Sequence, residues 1–127
     1  MFGFMEFLKK RNGQSLVMTA LLMAAIFGFS ALAIDVGSLV ITKSDLQKVA
    51  DAAALAAGQE LPDNPAQARI VAQNYVSING KPGDNADITI RADNKSITVA
   101  VSRTEPSFFA RVFGISTNTV SADATVS

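Results

Sequence analysis

Asp35, Asp45, Asp51 and the loop acids Asp84 and Asp87 are the side chains with which this sequence could do chemistry, because it holds no Cys and no His. Thiol nucleophiles, disulfides, zinc sites of the usual Cys/His kind and the commonest general base are therefore excluded. Only carboxylates, lysines and the single Tyr75 are left for metal or acid–base work. Asp45 and Asp51 lie six apart among Lys43 and Lys48, a spacing that reads as a solvated helix face rather than a catalytic pair. Pro82, Gly83, Asp84, Asn85 and Asp87 form an oxygen-rich loop, but it lacks the spaced acids and closing Glu of a calcium loop. Turn chemistry is the reading adopted. No phosphate loop, nucleophile–base pair or metal signature is present in the sequence, so the expectation is no enzyme, no cofactor and no metal. Eleven Lys+Arg balance eleven Asp+Glu, which leaves no basic field to gather nucleic acid.

What must position these residues begins with an apolar run. No residue between Arg11 and Asp35 is charged, and from Leu16 to Ile34 only Thr19 and Ser30 are polar. At about 1.5 Å per residue such a run covers about 30 Å, the thickness of a hydrocarbon core. A basic leader, 1–13, carries Lys9, Lys10 and Arg11, so the positive-inside bias places the N-terminus in the cytoplasm. Its Phe2, Phe4 and Phe7 can dock on the inner membrane face or be removed with it. Residues 14–35 are the expected transmembrane segment, and 36–127 the periplasmic or extracellular head. Ala31-Leu32-Ala33 also has the small-x-small form of a signal-peptidase site, so a secreted or periplasmic binding domain released after Ala33 is the alternative.

Beyond Asp35 the helical period does not stop. Val36, Leu39, Val40, Leu46, Val49, Ala50 and Ala53 recur on one face at the helical period, with charged and polar residues between them. One helix from about Gln14 to Gln59 is expected, its second half packed on the head through Leu39, Leu46, Val49, Ala50 and Ala53. Asp35 and Gly37 mark the membrane exit, Gly37 as a weak point where a bend can form. Asn64-Pro65 then caps a second helix to Asn79, whose apolar positions are Ala68, Val71, Ala72, Tyr75 and Ile78. Ile88 and Ile90, then Ile97, Val99 and Val101, alternate with polar residues around a turn at Asp93-Asn94, the pattern of a hairpin. Ser107 is expected to cap a short helix, Phe108 to Gly114, with Phe108, Phe109 and Phe113 in the core, or on a partner patch if they stay exposed. Val120, Ala122, Ala124 and Val126 form the inner face of a last strand. The fold expected is α+β and pilin-like: a long helix on a small head with a second helix, a short helix and a three-stranded antiparallel sheet.

The stretch from Asn12 to Leu61 resembles the N-terminal region of TadE/TadG-like proteins of the Tad (tight adherence, Flp-type) pilus apparatus. Ala33, Asp35, Val36 and Gly37 match that family's AxDVG element. Leu46, Gln47 and Ala50 to Ala57 match its Ala-rich helix, and Pro106 to Val126 looks like the end of many members. The resemblance implies a structural or assembly component, a minor pilin or pseudopilin of a Tad-type pilus or a related secretion or adhesion apparatus. It also implies cleavage between Gly13 and Gln14, which would make Met18 the fifth residue, where TadE-type pilins carry Glu; the chain is in this respect TadG-like. The implied partners are the membrane, other pilin-like subunits and pilus-assembly proteins, with a homo-oligomer or filament among the assemblies. The implied location is the cytoplasmic membrane, single-pass and N-in/C-out, or the cell exterior within a pilus.

Overall fold

The computed structural model describes the backbone of residues 2–127 and the side chains of residues 13–127. The leader side chains, and what was expected of Phe2, Phe4 and Phe7, lie outside the described residues. One helix, α1, runs unbroken over Phe2–Gly58, straight through Gly37, where no neighbouring atom would meet an added Cβ. α1 is two helices in character. Every residue from 13 to 30 is exposed, whereas Leu46, Val49, Ala50, Ala53, Ala54 and Ala57 are core. Alanine there removes bulk from one face and lets the head approach the helix axis closely.

Helix α2, Pro65–Asn79, begins where the sequence places it: Asn64 Oδ1 accepts the Gln67 N–H at 3.2 Å and Pro65 occupies the first turn. It ends at Gly80, whose N–H bonds the Val76 carbonyl. A Cβ on Gly80 would lie 2.7 Å from that oxygen and 2.8 Å from Asp84 Oδ2, so only glycine fits between helix end and loop. The buried face of α2 is Ala68, Ala72 and Val76. Tyr75 and Ile78, expected on that face, are exposed; the helix meets α1 along a narrow small-residue stripe, and both lie to the side of it.

The sheet is a meander, β1 (Asn85–Ile90), β2 (Ile97–Pro106) and β3 (Thr117–Val126), antiparallel in the order β1-β2-β3. Asn94, at a positive φ of 57°, makes the β1–β2 turn. Ile88, Ile97, Val99, Val101 and Ala122 point inward onto α1 and α2, as the alternation requires. The architecture is α+β, with a long N-terminal helix, a second helix and a three-stranded antiparallel sheet. β2 and β3 run on past the core, and their connection reaches back along α1 toward its apolar half.

Candidate functional site

Two clusters hold the head on α1, and both use carboxylates named from the sequence. At the first, Asp35 turns its carboxylate to the β2–β3 connection. Its Oδ1 accepts the backbone N–H of Phe108 at 3.1 Å and of Phe109 at 3.2 Å, and its Oδ2 that of Ala110 at 2.8 Å. Three successive donors at the start of a short 3-10 helix, Ala110–Phe113, are thereby satisfied from a residue more than seventy positions away in sequence. Gly114, at φ 87°, ends that helix, its N–H shared by the Ala110 and Arg111 carbonyls.

The local expectations fail here in an informative way. Ser107 does not cap the turn; its side chain is buried and accepts a 2.7 Å bond from Asn118 Nδ2. Nor are Phe108, Phe109 and Phe113 core. They are 59%, 43% and 86% exposed, with Val112 at 82%. The connection lies beyond the end of the sheet, so its apolar side chains have no second layer to enter. Phe109, Val112 and Phe113 face instead an open cleft of about 360 Å³ whose other wall is Phe27, Gly28, Ala31 and Leu32 of α1.

The second cluster centres on Arg103 of β2. Its Nε and Nη2 form a bidentate pair with Asp84 at 2.7 Å each, and its Nη1 reaches Asp45 Oδ2 of α1 at 3.0 Å. Arg103 and Asp84 are almost wholly buried, at 7% and 2% side-chain exposure. Asp84 also accepts the Lys81 N–H at 2.9 Å. The hydrogen bonds from Arg103 hold the Asp84 carboxyl below the usual carboxylate range, outweighing the opposing effect of burial. Paired with two carboxylates, the guanidinium is in turn held more firmly protonated.

The turn reading holds for Lys81 to Asp84, whereas Asn85 and Asp87 belong to β1, and Asp84 serves as an anchor as well as a turn former. Asp45 is correspondingly not part of a purely solvated face, since it pairs across to Arg103. Asp51 is: it is exposed and accepts only from Gln47, at 3.0 Å. Between the clusters, Thr42 meets Glu105 at 3.3 Å, Lys43 Nζ donates to the Ser121 carbonyl and Gln47 Nε2 to that of Asp123. Of the helix-packing positions, Leu46, Val49, Ala50 and Ala53 are buried and Leu39 is half-buried. Gly13, Gln14 and Met18 lie exposed on the apolar half of α1. Among the described residues, no group of His, Cys, Asp and Glu is arranged to hold a metal ion.

The molecule thus combines a helix long and apolar enough to cross a membrane, bare in one half, with a small α+β head built on the other half. Residues 13–60 match the model of the Flp pilus-assembly TadE/G-like family. Over that helix the chain is similar to TadE/G-like proteins, a family described by its part in Flp pilus assembly. The rest of the head lies outside the match. Comparisons with curated proteins and with solved structures find no match.

Proposed function

We propose that the protein is a single-pass, membrane-anchored minor pilin or pseudopilin of the Tad apparatus that works by packing rather than by catalysis. In this reading residues 1–13 are a leader, 14–35 cross the cytoplasmic membrane, and 36–127 form a head on the far side. One observation carries it: α1 passes without interruption from a half in which residues 13–30 are all exposed to a half that is the core of the head. Bare apolar surface of that extent needs lipid or other helices around it. Lys9, Lys10 and Arg11 before the run favour N-in/C-out. Other pilin-like subunits and assembly proteins are the proposed partners, met through the apolar half of α1 and the outer face of the head. Asp35 and Gly37 are the proposed exit from the membrane.

Mass spectrometry of the mature N-terminus from the membrane fraction, with an alkaline phosphatase fusion after Val126, tests this. The expected result is a chain starting at Met1 or, if processed as a prepilin, at Gln14, with phosphatase active outside the cytoplasm. A chain starting at Ile34, or an inactive fusion, would overturn it.

A further inference from the structure

We propose that the β2–β3 connection, Phe108 to Ile115, is a second membrane contact: an apolar wedge that enters the outer leaflet beside α1. The proposal rests on the transmembrane reading of residues 14–35. Phe108, Phe109, Val112, Phe113 and Ile115 are all substantially exposed, and they follow one another in a connection of about ten residues. Isolated exposed apolar residues are ordinary; a cluster of this density on a small head marks a surface that another phase covers.

Position along α1 says which phase. The wall opposite Phe109, Val112 and Phe113 is Phe27, Gly28 and Leu32. Phe27 lies eight residues, or about 12 Å at 1.5 Å per residue, inside Asp35 on the apolar half of α1. If lipid surrounds that half, it surrounds the wedge as well, because the two apolar surfaces form one continuous cleft. Beyond Lys43 the other exposed large apolar residues of the head, Leu55, Ile70, Tyr75 and Ile78, are spread over α1 and α2, whereas the β2–β3 connection gathers five within eight positions, facing the apolar half of α1.

Backbone chemistry agrees with this placement. An irregular segment is costly at membrane depth unless its N–H groups are satisfied. Here Asp35 accepts those of Phe108, Phe109 and Ala110, while Val112, Gly114 and Ile115 donate to carbonyls within the turn. These bonds lower the cost of bringing the connection to the membrane interface. Arg111 is exposed, with its Nε held by the Ser107 carbonyl, which suits it to headgroup phosphates above apolar neighbours.

The sequence has no Trp, so a single introduced Trp reports its own surroundings. Full-length Phe113→Trp, Val112→Trp, Leu21→Trp and Ile78→Trp chains are reconstituted in phosphatidylcholine/phosphatidylglycerol vesicles whose lipids carry bromine on the upper acyl carbons. Leu21 reports the anchor and Ile78, exposed on α2, the aqueous head. The expected result is blue-shifted emission and several-fold stronger quenching at 113 and 112 than at 78. Quenching at 21 but not at 113 or 112 would overturn the wedge and leave the anchor standing. Quenching at none would overturn both. Emission at 113 that ignores bromination but changes with protein-to-lipid ratio would assign the surface to a second copy of the chain, against the proposal.

Discussion

At the scale of single residues, the acids of this chain are fasteners. Asp84 gives up hydration for a bidentate guanidinium and one backbone N–H, an arrangement that works only while it is ionised. Removing Arg103 strands a buried carboxylate, so Arg103→Met is expected to cost about 3–5 kcal/mol in the unfolding of the detergent-solubilised full chain. Asp84→Asn is expected to cost less, because Asp45 still faces the guanidinium. The folded-state pKa of Asp84 lies below its unfolded value of about 3.9. Its stabilisation is therefore present above that value and is lost as pH falls through the folded pKa. Melting midpoints of wild type and Asp84→Asn should differ at pH 7 and converge as pH drops below about 4; a constant gap would place the contribution of Asp84 elsewhere. None of this was legible in the sequence, for Asp45 and Asp84 lie 58 and 19 residues from Arg103 and no local period links them. Asp35 stands out in the sequence because it ends an uncharged run, but nothing there marks it as the acceptor for residues 108–110, which a remote loop has to bring to it.

At the scale of elements, signals that act within a few residues placed their elements well. Asn64-Pro65 and Gly80 bound α2, and strict alternation gave all three strands their inner faces. The 3-10 helix is where local reading failed. Its cap comes from α1, and without a second layer its phenyl rings stay outside the core. The Ala-rich half of α1 shows the opposite case, a sequence feature whose role follows directly from size. Ala50, Ala53, Ala54 and Ala57 are fully buried against the sheet and α2, leaving no volume for extra methylenes. Ala53→Leu is accordingly expected to destabilise the head by about 1–3 kcal/mol through overpacking. Asp51→Lys, on the exposed side of the same turn, should stay within about 0.5 kcal/mol. Urea unfolding of the two variants separates packing from charge. Equal losses would mean that this face of α1 contributes through electrostatics.

At the scale of the whole molecule, the head and the helix that carries it are not separable parts. The core has three walls, and Leu46 through Ala57 of α1 form one of them, with Ile97, Val99 and Val101 of β2 packed on it and Ala68, Ala72 and Val76 of α2 alongside. Without α1 the inner face of a three-stranded sheet is open to water, and a remnant of this size cannot bury enough apolar area to offset its chain entropy. The apolar half of α1 contributes nothing to that core, since every residue from 13 to 30 is exposed. A chain comprising residues 34–127 keeps the core and the Asp35 contacts with residues 108–110, and is expected to unfold in one cooperative thermal transition with dispersed amide resonances. A chain comprising residues 62–127 keeps α2 and all three strands, yet should show neither. Cooperative unfolding of the shorter chain would mean that α2 and the sheet form a sufficient core by themselves and that α1 is only a stalk. Failure of the longer one would show that the stability of the head depends on the apolar half of α1.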